Sequence, residues 1–251
     1  MKYNSSKNSF FKRTMFITGF GPFRNITDNP SFETVKHFVQ DHCKVILAND
    51  VFVIKEWIKL IHFYGPGRIV YIHSMDDKIK QLFDALDVTD NREKANMEIF
   101  FEFTSLSLPS ILPISCAVSY EYVQKITEFY WTHDFKYCIH VGVGLPGQFK
   151  LELLGNINYN KPDIYATLPK VVPKRALHTV LPIPQVFEAL KSKYNVALST
   201  DAGAYVCDYT LAISNHYSNR RSLFIHVPSD GKVPEMIAFV QDVISILNSL
   251  V

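Results

Sequence analysis

A cysteine, a histidine and a carboxylate, each set in an apolar context, are the residues of this chain best suited to covalent chemistry. Cys207 stands in "STDAGAYVCDYT" (Ser199–Thr210), a small polar turn around Gly203 followed at once by an apolar run. The turn reads as a strand-to-helix connection in which Gly203 can take a left-handed backbone conformation. Cys207 then falls close to a helix start, where the helix dipole favours thiolate over thiol. A free cysteine in an apolar run is also a small core residue, so the whereabouts of a base decides between two readings. His226 is such a base, in "SLFIHVP", flanked by Phe224, Ile225 and Val227 and followed by Pro228. It is either a core histidine with a satisfied hydrogen bond or the group that takes the thiol proton and, as imidazolium, holds the thiolate. A third group that fixes the imidazole tautomer improves such a pair, and three acids compete for the place. Asp201 and Asp208 are sequence neighbours of Cys207 and also candidate helix caps. Glu152, in "FKLELLGNINYN", sits between apolar residues, where an unpaired carboxylate is costly.

These groups need elements to position them. Thr14–Ile17 lead into "TGFGPF", a short buried strand ending in a glycine-rich turn. In "NPSFETVKHFVQDH", Asn29 or Ser31 can cap a helix whose apolar stripe is Phe32, Val35, Phe38 and Val39. Ser119–Trp131 reads as helix and Tyr137–Gly144 as a buried strand ending at glycines. Beyond them, "PIPQVFEALKSKY" reads as helix, "NVALST" as strand, "YVCDYTLAISNHYS" as helix, "SLFIHVP" as strand and "PEMIAFVQDVISILNSL" as a closing helix. Alternating strands and helices predict an α/β fold, three-layer α/β/α with a mostly parallel central sheet. Sites in such sheets gather beyond the carboxyl ends of strands, which groups Phe20, Gly144, Asp201 and His226. Residues from about 48 to 112 fit this alternation less cleanly. Lys59–Tyr64 before Ile72-His73 echoes Lys125–Tyr130 before Ile139-His140, either as a duplicated helix–strand unit or as chance likeness of two amphipathic helices.

Bulk properties narrow the function class. The chain has 251 residues, 47% hydrophobic, with 26 basic and 24 acidic side chains for a formal charge of +2. That is enough for one sizeable core, and the balanced charge gives no reason to expect a nucleic-acid or membrane partner. No uninterrupted apolar run reaches membrane-spanning length. The basic opening, residues 1–13, reads as a flexible tail ahead of a single domain at 14–251. Four cysteines without a CxxC pair, and no secretory leader, suggest a reducing, cytoplasmic setting. Neither HExxH nor finger-spaced Cys/His doublets occur, so no metal is expected.

Taken in order, "TGFGPFRNITDNPS", "IHVGVG", "LELLGNIN", "STDAGAYVCDYT" and "SLFIHVP" resemble the successive motifs of the pyroglutamyl-peptidase I (pyrrolidone-carboxylate peptidase) family, over Thr14–Asn29 and Val118–Val251. The resemblance implies a cysteine exopeptidase that removes N-terminal pyroglutamate from small peptides, with no cofactor. It implies a Glu/Cys/His triad at Glu152, Cys207 and His226. It also implies a substrate pocket lined by Phe20, Phe23, Tyr205 and Val206, with Asn29 helping to hold the site. A pyroglutamyl group is a small neutral lactam, and apolar walls with a few backbone groups suit it.

The chain departs from the family pattern in three places. Arg24 stands where the first motif continues with glycine. The loop before Glu152 is slightly short and carries Pro146. Between Asn29 and the "VSYEYVQ" helix there are roughly sixty residues more than the family needs, beyond ordinary loop variation. These departures leave open an impaired relative that binds peptides or partners through the same pocket. A purine-phosphorylase-like protein of similar architecture is disfavoured, because no phosphate-cradling loop is evident.

Overall fold

The computed structural model describes residues 15–23, 26–39, 111–131, 135–157, 159 and 161–251. The expected tail, Arg24 and the 48–112 segment up to residue 110 lie outside those residues, as does the first half of the possible duplication.

The first described strand, β1 (Met15–Phe20), is followed by α1 (Pro30–Lys36), a 3-10 turn (His37–Val39) and β2 (Ile111–Cys116). Then come α2 (Tyr120–Trp131), β3 (Cys138–Val143), β4 (Phe149–Glu152) and the short β5 (Leu154–Gly155) and β6 (Leu177–His178). The chain closes with α3 (Ile183–Leu190), β7 (Val196–Ser199), α4 (Val206–Tyr217), β8 (Ser222–Val227) and α5 (Val233–Leu250). Six strands form one sheet in the order β2-β1-β3-β8-β4-β7, while β5 and β6 form a separate two-stranded ladder. Within the six-stranded sheet the pairs β1–β2, β1–β3, β3–β8 and β4–β7 are parallel and β4–β8 is antiparallel, as is the separate β5–β6 pair. The sheet is therefore mostly parallel, as expected, with its last two strands reversed.

Alternation along each strand sends side chains to two faces. Met15, Ile17, Ile139, Val141, Leu151, Leu223 and Ile225 share one buried cluster with Val35 of α1, Ile183, Val186 and Leu190 of α3, and the stripe of α5. That stripe (Met236, Phe239, Val240, Val243, Ile244, Leu247) follows helical spacing, and each such side chain contributes about 1.5–3 kcal/mol on burial. Phe16, Phe20, Cys138 and Phe224 face the other way, against Tyr120, Val123 and Ile126 of α2 and Val206, Tyr209, Leu211 and Ile213 of α4. Helices on both faces make the three layers.

Three features differ from the sequence expectation. Strand β2 carries Pro113, a residue that removes a ladder donor; its place at the sheet edge is where that loss is tolerated. Helix α5 is long and apolar enough, by length and composition, to cross a membrane. A search for an uninterrupted apolar run passes over it because Glu235, Gln241 and Asp242 punctuate the helix, and its apolar stripe is packed on the sheet. Strand β7 runs opposite to β8, so the rule of carboxyl ends does not group Asp201 with Phe20, Gly144 and His226.

Candidate active site

Strand β8 delivers His226 to the face that carries α2 and α4. In the antiparallel pairing, Glu152 lies opposite Phe224 and Lys150 opposite His226. Glu152 and His226 are thus diagonal neighbours on one face, within reach of long side chains. Glu152 is fully buried, and its Oε1 lies 2.8 Å from His226 Nδ1. A buried carboxylate fixes Nδ1 as the protonated nitrogen, which donates to Oε1, and leaves Nε2 for another partner.

That partner is Cys207, whose side chain hydrogen-bonds the His226 ring. The thiol is brought there by the turn before α4. Gly203 has φ +86°, the left-handed region that favours glycine, and its N–H donates to Asp201 Oδ1 at 3.0 Å. Tyr205, in extended conformation, is the residue that caps α4, and its side chain makes no capping bond. The expectation that Asp201 or Asp208 caps this helix is not met. The first backbone bond of the helix runs from Tyr209 N to Tyr205 O, so the amides of Val206, Cys207 and Asp208 have no partner within the helix. Cys207, second residue of α4, lies over Gly142 of β3. A Cβ built on Gly142 would stand 2.6 Å from Phe224 Cζ and 3.4 Å from Cys207 Sγ, so only a glycine leaves room for the ring and the sulfur together.

Burial by itself would lower the His226 pKa. The hydrogen bonds and charges of Cys207 and Glu152 outweigh it and raise the pKa to about 9. The imidazolium is therefore the favoured form at neutral pH. Cys207 is half-buried, whereas the other two described cysteines, Cys116 and Cys138, are fully buried. Cys138 also meets a histidine, with Sγ 3.1 Å from His140 Nε2, but this second pair is a neutral structural network. Burial drives the Cys138 thiol up to about 12 and the His140 imidazole down to about 3. Thr18, Ser214 and Ser222 complete the network.

The residues expected to line a pocket divide. Phe20 is buried and stacks on Phe224 with centroids 6.1 Å apart. Phe23 forms a β-bridge with Ile26, and Phe23, Tyr205 and Cys207 are among the partly buried residues packed against the same cluster. Val206 is different: its side chain is fully buried in the core between the sheet and α4, so it offers a ligand its backbone and no side-chain wall. Asn29 is also buried, and its polar atoms are engaged. Its Nδ2 donates to Gly21 O at 2.9 Å, and its Oδ1 accepts from Ser31 N and Ser31 Oγ. Ser31 Oγ in turn accepts from Phe20 N at 3.1 Å. Asn29 caps α1 and ties the turn that holds Phe20 and Phe23.

Sequence reasoning did not single out Asn156 or the role of Asp208. Asn156 donates from N (3.0 Å) and Nδ2 (3.3 Å) to Asp208 Oδ1. Two buried carboxylate oxygens, Glu152 Oε2 and Asp208 Oδ2, have no hydrogen-bond partner among the described residues. Among the described residues no group of three or more His, Cys, Asp or Glu side chains could hold a metal ion. A groove of about 770 Å³ lies along the far end of α4, between residues 171–177 and 215–220, and includes none of the candidate site residues.

No family model matches the chain. It is 30% identical to human pyroglutamyl-peptidase 1 over 126 residues, 46% of this chain and 60% of that protein. The mouse protein of the same name is 29% identical over the same span. The matched part is thus less than two thirds of the length of these relatives. Among solved structures, pyrrolidone carboxyl peptidase from Thermococcus litoralis superposes with a TM-score of 0.60 at 16% identity, covering 94% of this chain and 93% of that one. Pyroglutamyl peptidase I from Bacillus amyloliquefaciens does so with a TM-score of 0.57 at 18% identity, covering 94% and 97%. At those identities the structures speak for the fold. Over the matched span the chain is thus similar in sequence to pyroglutamyl-peptidase 1, and over most of its length it shares the fold of the pyrrolidone carboxyl peptidases.

Proposed function

We propose that the chain is a cysteine exopeptidase that removes N-terminal pyroglutamate from peptides, with Cys207 as nucleophile, His226 as acid and base, and Glu152 as the group that orients His226. The observation that carries this reading is the continuous hydrogen-bonded chain from a half-buried thiol at a helix start through His226 to a buried carboxylate. The Cys207 thiolate attacks the carbonyl carbon that joins pyroglutamate to the next residue. The unpartnered amides at the start of α4, those of Val206 and Cys207, are suited to bind the oxyanion of the tetrahedral intermediate. As it collapses, the C–N bond breaks and the imidazolium donates its Nε2 proton to the leaving amine. Neutral His226 then takes a proton from water, whose oxygen attacks the thioester. The C–S bond breaks, free pyroglutamate leaves, and the thiolate–imidazolium pair is restored. Glu152 accepts no proton; it stabilises each imidazolium.

The lactam ring fits against Phe20, Phe23 and Tyr205, with backbone groups available to its N–H and C=O. Val206 contributes through its main chain, and Asn29 acts by holding the Phe20–Phe23 turn. The described cysteines are all free thiols, which suits a cytoplasmic location. Strand β2 takes up the last two residues of the 48–112 segment and pairs along its length with β1. This supports reading residues 14–251 as one domain that carries the segment at about 48–112 as an insertion. Cleavage of a fluorogenic pyroglutamyl-amide tests the proposal. The wild-type chain is expected to release the fluorophore and Cys207→Ala to be inert. A well-folded wild type without turnover refutes the peptidase and favours a peptide-binding module.

A further inference from the structure

The carboxylate next to the thiol is engaged by a different part of the chain from the one that caps helices. Asp208 is fully buried in the first turn of α4, directly after Cys207. Its Oδ1 accepts both N–H groups that Asn156 can direct at it. Asn156 follows β5, four residues after Glu152, and its carbonyl accepts from the Tyr159 hydroxyl. One helical turn further along α4, Gly155 touches the helix so closely that a Cβ there would stand 2.3 Å from Ala212 N. Asp208 and Ala212 lie on one face of the helix. The segment running out of the Glu152 strand is therefore fastened to the thiol-bearing helix at two successive turns, once by packing and once by hydrogen bonds.

We propose that Asp208 is a positioning residue: through Asn156, its ionised carboxylate holds Cys207 in register with the His226–Glu152 pair. The inference rests on the reading of Cys207 as the nucleophile. A charged acceptor makes hydrogen bonds about twice as strong as a neutral one. Keeping a buried charge for that purpose has a cost. Burial raises the Asp208 pKa to about 6, partly offset by Asn156 and increased by the nearby charges of Asp201 and Glu152. Around it stand Glu152 on β4, Asp201 in the turn before α4, Cys207 on its own helix, and the Tyr120 and Tyr159 hydroxyls. A carboxylic acid whose folded-state pKa is raised destabilises the fold once it ionises, so above pH 6 the native state carries this charge at a loss. A purely structural contact would not be built this way, since asparagine would hold Asn156 without the penalty.

The test is the rate at which iodoacetamide alkylates Cys207, followed by mass spectrometry of its peptide from pH 5 to 9, beside thermal unfolding. It needs no peptidase turnover, so it stands apart from the assay of the proposed activity. In the wild type, proton uptake by Asp208 should lower the rate on the acid side of about pH 6. Asp208→Asn should alkylate roughly tenfold more slowly at pH 8, the loss expected when hydrogen bonds to a charged acceptor become neutral ones. It should lack the acid limb, and it should unfold at the same or a higher temperature. Asp208→Ala, with no acceptor, should be slower still. The proposal is overturned if Asp208→Asn alkylates within twofold of wild type, if it keeps the acid limb, or if its rate and unfolding temperature fall together.

Discussion

Replacing Glu152 by glutamine probes how much of the imidazolium is made by this one side chain. The gap between the ordinary histidine value of 6.5 and about 9 corresponds to roughly 3 kcal/mol in favour of the charged ring. Burial opposes that sum, while Cys207 and Glu152 supply it. Glutamine keeps an acceptor for Nδ1–H and removes the charge. A hydrogen bond to a charged partner is worth about 1.5–3 kcal/mol against about 1 for a neutral one, so the loss is on the order of 1–2 kcal/mol. The kcat of Glu152→Gln should then fall roughly five- to thirtyfold. KM should stay nearly constant, because Glu152 is sealed beneath His226 and has no path to a ligand. Deprotonation of the imidazolium ends activity on the alkaline side, so the wild-type alkaline limb is expected near pH 9. In the variant burial gains weight, and that limb moves toward neutrality. The assay is kcat and KM for a fluorogenic pyroglutamyl-amide across pH 5–10. If Glu152→Gln keeps both its kcat within twofold and its alkaline limb in place, Glu152 does not support the imidazolium and the reasoning fails.

Gly142→Ala should cost about 1–3 kcal/mol of stability by overpacking and should also displace Cys207 or Phe224, so thermal melts and thiol alkylation should both worsen. Under native conditions Cys207 should react with iodoacetamide well before Cys116 and Cys138, and a mass map with Cys138 labelled first would contradict the burial pattern. The folded-state pKa of His226 lies above its unfolded value, so its contribution, on the order of 3 kcal/mol, is fully present below about pH 6.5 and is lost as pH rises through about 9. Chemical denaturation should show that decline in wild type. It should be smaller in Cys207→Ala, which removes one of the two partners that raise the imidazole pKa; equal declines would argue against a Cys207–His226 ion pair.

Much of the site was legible because its signals are local. The "TDAG" turn ahead of "YVC", and the histidine closing "SLFIHVP", declare a helix start and a strand end without knowledge of the fold. Glu152 was readable as an acid in apolar company, but its partner was not. That contact depends on β4 pairing antiparallel to β8, and no local pattern encodes which way a neighbouring strand runs. The same blindness hid that Asp201 follows a reversed strand, β7, so its place beside Asp208 owes nothing to the rule of carboxyl ends. Asn156 and its contact with Asp208 went unread because each is an ordinary polar residue until two distant turns are superposed. Strand β2 escaped notice because its Pro113 argues against a strand except at an edge, and edges are assigned only by the completed sheet. Val206 illustrates the converse: adjacency to the nucleophile suggests a pocket wall, and burial of its side chain in the core is legible only from the packed helix.

The sheet order also governs when the site can come into being during synthesis. Of the described strands β8 comes last in sequence, yet it lies between β3 and β4, which do not pair with each other. Before residues 222–227 emerge, the growing polypeptide can form one ribbon of β2, β1 and β3 and another of β4 and β7, with no ladder between them. Insertion of β8 joins the ribbons and brings His226 to Glu152, 74 positions earlier in the chain. Pairings so distant in sequence form slowly. The thiol therefore stays without its base until β8 has been made and inserted, and sulfur chemistry waits on that step.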